Sequence, residues 1–251
     1  MEKLKNDILI FKKKFTRNLR DYGLFICLKK TIFYLAKPIY EKTNVILFKT
    51  DLESIEGKES YQSNLDYKWV ESKDTYIIKQ IEEMEEWLTG KLESSVGNKK
   101  LCIAAIENEK LIGFCLISLG EIYLPLLYLK VLFKNDEAFS EQLTVHEKYR
   151  RKGLATEMRF VAYMELKKRG MNTVYSSTTI DKIASIKSIE KVGGKRIGQL
   201  ICQNVFHSKQ LCLIKNSGQK IFIEKKEDSR LQAENNEKYY FITDTSNFDI
   251  N

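Results

Sequence analysis

Histidine is nearly absent from this chain of 251 residues: only His146 and His207 occur. A histidine-rich metal centre is therefore excluded, and no metal site is expected. Any catalytic histidine would have to be one of those two. The five cysteines, Cys27, Cys102, Cys115, Cys202 and Cys212, are odd in number and scattered, with no Cys-x-x-Cys spacing. That pattern argues against zinc and for reduced thiols in a cytoplasmic protein. Two prolines and 43% hydrophobic residues speak for a globular chain able to bury a core. No run of about 20 uninterrupted apolar residues exists, which argues against a spanning helix. Charges interrupt every apolar run near the amino terminus, so a signal-peptide layout is missing too. No internal repeat is visible.

Charge is present but badly distributed. The chain carries a net +8, and residues 1–49 hold 12 Lys/Arg against 4 Asp/Glu. The remaining residues are balanced at 30 of each sign. A nucleic-acid binder would need a recognised motif in that basic segment, and none is there. Residues 4–20 instead read as a basic amphipathic helix, with Leu4, Ile8, Phe11, Phe15 and Leu19 at helical spacing. A second helical run follows from Leu24 to Ala36 and stops before Pro38. The apolar face of residues 1–43 requires a cover: an anionic membrane surface, the body of the protein, or a second copy in a homodimer. The expected location is cytoplasmic, with peripheral attachment to the inner face of the membrane as one form of it.

Beyond residues 44–64, a short strand (Asn44–Phe48) and linker, the pattern becomes regular. Leu65–Val70 reads as a strand. A helix through Ile77, Ile81 and Met84 follows, capped by Ser72 or Asp74. Lys100–Ile106 and Leu111–Leu119 form a hairpin about Glu107-Asn108-Glu109. The apolar run Ile122–Phe133 reads as an extension of the sheet in preference to a pocket-lining insertion. Ala138–Val145 is a strand, and helical spacing resumes at Leu154 and ends near Gly170. Thr173–Ile180 is a β-branched strand. A helix from Ile183 to Lys191, capped by Asp181, places Ile183, Ile186 and Ile189 on the core and stops at Gly193-Gly194. Two closing strands reach Lys215. Residues 216–251 are a polar tail with two apolar islands, Ile221-Phe222-Ile223 and Tyr239-Tyr240-Phe241-Ile242.

The densest chemistry lies between Leu143 and Thr156. An apolar strand ends at Val145, a cationic loop (Lys148, Arg150, Arg151, Lys152) follows, and Gly153 opens a helix. Helix-start amides have no partner of their own and carry positive potential, so the arrangement suits a diphosphate. It is neither a Walker loop nor a three-glycine dinucleotide loop. Arg150-x-x-Gly153-x-Ala155 after such a strand resembles the acyl-CoA signature of the GNAT superfamily of N-acetyltransferases. The resemblance spans residues 65–215. It implies an α/β fold with a mixed, mostly antiparallel sheet flanked by helices, here with an amino-terminal helical appendage. It assigns the pyrophosphate of acetyl-CoA to amides from Arg151 to Thr156, with Arg150, Lys152, Leu154 and Ala155 in the same turn. The pantetheine arm is assigned to the backbone of Leu143, Thr144 and Val145.

A second family motif is present in altered form over Asp181–Gly194. Ala184, Lys191 and Gly193 match, but Ile189 occupies the position where many members carry the tyrosine that protonates the leaving thiolate. That role then falls to water, Ser185, Ser188 or Tyr175. An amine attacks a thioester only when neutral, so a base is required. Glu141 is the candidate, a carboxylate in phase with apolar neighbours on a strand. The competing reading of it is an ion pair with a nearby lysine, and Glu137 and His146 are the alternatives. The function expected is acetyl transfer from acetyl-CoA to a primary amine, an amino sugar of surface polysaccharide synthesis among the candidates. The alternative is a non-catalytic acyl-CoA-binding or membrane-associated interaction protein on the same fold.

Overall fold

The computed structural model describes Leu19 and residues 40–55, 65–97, 99–124, 129–205, 208–215, 220–223 and 240–242. The amphipathic helices read at 4–20 and 24–36 lie outside the described residues, apart from Leu19, which is helical and exposed. The chain divides into two compact units, Met1–Lys42 with Cys202–Gln210, and Thr43–Ile201 with Leu211–Asn251. Of the first unit, Leu19 and the ends of three strands are described. No described helix is long and apolar enough to cross a membrane.

Twelve strands are described. β1 is Tyr40–Asp51, β2 Asp66–Trp69, β3 Lys100–Glu107 and β4 Lys110–Leu119. Next come β5 (Glu121–Leu124), β6 (Leu129–Leu132), β7 (Glu137–Val145) and β8 (Thr173–Thr179). The last four are β9 (Lys195–Val205), β10 (Ser208–Lys215), β11 (Lys220–Ile223) and β12 (Tyr240–Ile242). Nine of them form one sheet in the order β11-β10-β9-β1-β8-β7-β4-β3-β2. Within it β2–β3, β3–β4, β4–β7 and β8–β1 are antiparallel, and β7–β8 is parallel. The expected mixed, mostly antiparallel sheet flanked by helices is what the chain forms.

Each face of the sheet has its own apolar layer, because strand side chains alternate in direction. Helices α1 (Thr75–Met84) and α2 (Leu92–Ser95) cover one face, with Ile78, Ile81, Leu88 and Leu92 against Cys102, Ala104, Phe114 and Leu116. Helices α3 (Leu154–Lys168) and α4 (Ile183–Lys191) cover the other. There α3 places Ala162, Tyr163 and Leu166 on Ile103, Cys115, Ile117 and Val174. From α4, Ile186 and Ile189 meet Ile46 and Phe48. Ile183 does not join them; it is the first residue of its helix and is exposed. Gly194 is forced by this packing, since a Cβ there would stand 2.5 Å from Ile189 Cγ2 and 2.8 Å from the Ile189 carbonyl oxygen.

Three local expectations need correction. The run Ile122–Phe133 does not extend the main sheet. The chain turns at Gly120 (φ 71), and β5 and β6 form a separate three-stranded sheet with β12. Glu121 holds that hairpin through Lys130 at 2.9 Å. One apolar island of the tail thus supplies β12, and the other supplies β11 on the edge of the main sheet. Asp74 does stand at the N-cap of α1, yet its carboxylate accepts from Lys68 Nζ (2.7 Å) and the Glu71 amide (2.9 Å) and not from the helix. Asp181 caps nothing with its side chain, because the helix begins one residue later with Lys182 as N-cap.

Candidate active site

β7 and β8 pair only from Glu137 to Ser140 and from Thr173 to Ser176. Beyond Ser140 the two strands go separate ways. β7 keeps β4 as neighbour as far as Val145, and β8 keeps β1 as far as Thr179. The result is a wedge, closed at Ser140 and Ser176, whose β7 wall is the backbone of Glu141–Val145. The divergence coincides with a bulge. Leu116 pairs with Gln142 and Ile117 with Ser140, so Glu141 is the extra residue, opposite none. Bulges bend a strand and redirect its side chains. The sequence carries a signal for it, since Ser140-Glu141-Gln142 breaks the alternation of the strand.

The bulge turns Glu141 toward the α1 face. There Ser118 Oγ donates to its Oε2 at 2.7 Å, and Lys100 Nζ reaches Oε2 at 2.8 Å and Oε1 at 3.1 Å. Glu141 is thus an ion-paired carboxylate placed beside the wedge. Glu137 is buried in the closed part, accepting from the Lys134 amide (3.0 Å) and from Tyr175 Oη (3.3 Å). His146 accepts from the Lys148 amide through Nδ1 at 3.4 Å and so holds the turn after β7.

A second carboxylate at the wedge is one the sequence reading missed. Glu85 follows the last turn of α1 in an extended conformation (φ −137, ψ 88). Its Oε1 accepts from Thr144 Oγ1 at 2.9 Å and from Gln142 Nε2 at 3.3 Å. Both donors lie on the unpaired half of β7. Nothing local distinguishes Glu85 from Glu86 in sequence, so only the three-dimensional approach of α1 to β7 identifies it.

The outer end of the wedge is the cationic turn. Arg150 is exposed, and its Nε donates to the Val145 carbonyl at 3.1 Å and ties the loop to the strand. Lys152 lies with Nζ 5.2 Å from the Tyr149 ring centre, and Tyr149 Oη in turn hydrogen-bonds Glu107. Arg151 (φ 67) and Gly153 (φ 83) both adopt left-handed backbone, a conformation glycine takes freely. Alternation of this kind forms a concave nest of amides. No side chain caps α3, and the amides of Gly153, Leu154 and Ala155 have no backbone acceptor among the described residues. A Cβ on Gly153 would meet nothing within 4 Å. Leu154 and Thr156 are buried and anchor the first turn of the helix. An anion seated on these free amides fits the chemistry of the donors present.

Candidates for returning a proton to a leaving thiolate are separated by the fold. Ile189 is fully buried in the apolar layer under β1. Ser188 is buried as well, with Thr156 Oγ1 3.5 Å from its Oγ. Tyr175 stacks on Phe133 in the closed part (5.8 Å between centres). Cys102 and Cys115 are buried thiols outside any disulfide. Burial pushes the Cys102 and Cys115 thiols above their ordinary range, so neither offers a thiolate.

A sequence model of the acetyltransferase (GNAT) family matches residues 61–194. No curated protein matches the sequence. Among solved structures, a GNAT-family acetyltransferase from Colwellia psychrerythraea aligns at 14% identity and a TM-score of 0.48. That alignment covers 65% of this chain and only 56% of the other, little more than half its length. A GCN5-related N-acetyltransferase from Sphaerobacter thermophilus aligns at 12% identity and a TM-score of 0.48, over 72% of this chain and 57% of that one. The aminoglycoside N-acetyltransferase AAC(6')-Iy, in complex with CoA, aligns at 15% identity and a TM-score of 0.41, over 51% and 90%.

Proposed function

The chain belongs to the acetyltransferase (GNAT) family, and from that premise we propose that it transfers a short acyl group, acetyl in the simplest case, from a CoA thioester to a primary amine. The observation that carries this reading is the wedge between β7 and β8, bulged at Glu141 and ending outward in free helix-start amides. In this reading the amides from Arg151 to Ala155 hold the pyrophosphate, because the expected donor Thr156 already gives its amide to the Gly153 carbonyl at 2.9 Å. The unpaired edge of Leu143, Thr144 and Val145 lies along the pantetheine arm, and the thioester supplies the activated acyl group.

The acceptor amine approaches from the α1 face, where Glu85 and Glu141 flank the unpaired strand. An ammonium is attracted by two carboxylates, and Glu141 takes its proton, which frees the lone pair for attack. Unpaired β7 amides face the oxygen of the tetrahedral adduct. With Ile189 in the core, water or a serine of α4 returns the proton to sulfur. Incubation with acetyl-CoA and a panel of amines, amino sugars included, is expected to release the CoA thiol only when an accepted amine is present. Tight CoA binding with no release across the panel would favour the non-catalytic acyl-CoA-binding reading, for which Ile189 at the tyrosine position is the support.

An amino sugar on a membrane-associated precursor is the acceptor favoured by the basic segment 1–43 in the sequence. Its cover is proposed to be an anionic lipid surface at the cytoplasmic face. Flotation of the full chain with anionic liposomes at low salt, lost at high salt, is the expected result. Retention in the soluble fraction at low salt would point to the protein body or a second copy instead.

A further inference from the structure

Arg159 stands on α3, on the side that faces the sheet, and is only 6% exposed. Its guanidinium presents five N–H donors in a planar fork. One donor is used: Nη1 donates to Ser140 Oγ at 3.0 Å. Nε has no acceptor, and no carboxylate lies within ion-pair distance of the group among the described residues. The same serine lies beside a buried thiol, with Cys115 Sγ 3.9 Å from Ser140 Oγ. The hydroxyl of Ser176 (1% exposed), the residue paired with Ser140, also lacks a hydrogen-bond partner. A buried cation without a counter-charge is strongly unfavourable. A feature of this kind is maintained when something else brings the anion.

The position of Ser140 says where that anion comes from. Ser140 and Ser176 are the last pair before β7 and β8 diverge, so Arg159 reaches the closed end of the wedge. With the pyrophosphate on the helix-start amides outside, and the arm running inward along Val145 to Glu141, the group that arrives at the closed end is the acyl group. We propose, on the reading that the wedge holds an acyl-CoA, that this end takes a carboxylate, and that the preferred donor is the CoA monothioester of a dicarboxylic acid. A carboxylate accepts two parallel bonds from the guanidinium fork, and the two serine hydroxyls remain for its other lone pairs. Acetyl leaves the charge uncovered and is the poorer donor. The reaction balances as ordinary acyl transfer. The amine nitrogen bonds to the thioester carbonyl carbon, the C–S bond breaks, and the amine proton ends on the CoA thiol. The product amide carries the distal carboxylate.

The test needs no knowledge of the acceptor. Calorimetry with the full chain compares free CoA, acetyl-CoA, succinyl-CoA and pentanoyl-CoA, the last of similar length and without the charge. Succinyl-CoA is expected to bind about 10- to 100-fold more tightly than pentanoyl-CoA, the range of a hydrogen-bonded charged group. Arg159→Met fills the same space without the buried charge, so it is expected to fold. It should abolish the preference and leave free CoA affinity unchanged. Arg159→Lys, which keeps a charge but not the fork, should retain part of the preference. Equal binding of the two thioesters, or a preference that survives in Arg159→Met, overturns the proposal while CoA binding keeps the acyl-CoA reading intact. Failure of CoA itself to bind removes both.

Discussion

Gly153→Val is expected to weaken CoA binding by about 100-fold, the upper part of the range of one hydrogen bond to a charged group. Gly153 is at φ 83, where a Cβ points into open space beside the helix-start amides. An anion must enter that space to reach the amides of Gly153, Leu154 and Ala155. Valine there would obstruct the approach and also oppose the left-handed backbone, at a cost of about 1–2 kcal/mol. The second effect alone would lower stability and imitate a binding defect. Gly170 provides the control, because it has φ 82 at the other end of α3 and equally open surroundings. Gly170→Val should lose comparable stability in thermal melts while calorimetry finds CoA affinity within about twofold of the parent, the scale of sub-kcal/mol effects. If the two variants bind CoA equally well, the anion does not sit on the start of α3.

Local patterns in the sequence carry local structure, and the wedge shows how far that reaches. The strand ending at Val145, the cationic turn and the helix from Leu154 were legible because each is written in consecutive residues. The departure at Ile189 was legible too, and the fold gives it a physical place in the layer with Ile46, Phe48 and Ile186. What pairs with what was not legible. β1, read as a short strand ahead of a linker, lies between β8 and β9. Its register with β8 joins residues more than a hundred positions apart, and β-branched composition alone does not encode such a partner. The same limit hid Glu85, whose role depends on the end of α1 meeting Thr144 across 59 positions of chain. Arg159 was hidden for another reason. On a helix rich in charge a single arginine reads as solvent-facing, and only its burial against Ser140 makes it unusual.

Glu141→Gln is expected to lower kcat by about 100- to 10,000-fold, the usual contribution of a positioned base, with little change in affinity for the thioester. Glutamine preserves the size of the side chain and still accepts from Ser118. It does sever the ion pair with Lys100, and Glu141 is the bulge residue, so a drop in rate has two possible origins. Lys100→Met separates them. It breaks the same ion pair and leaves the carboxylate in place. If Glu141 only shapes the bulge, both variants lose activity alike, and the form of the pH–rate profile survives in both. If Glu141 takes the amine proton, Glu141→Gln removes the limb on which rate falls toward acid pH, and Lys100→Met keeps that limb. Glu85→Gln gives the third arm. A carboxylate that attracts the ammonium without accepting its proton raises KM for the amine and spares kcat. Should Glu141→Gln leave the rate unaltered across the pH range while Glu85→Gln abolishes the acid limb, the base is the carboxylate delivered by α1. Deprotonation then occurs from the helix that covers that face of the sheet and not from the bulged strand.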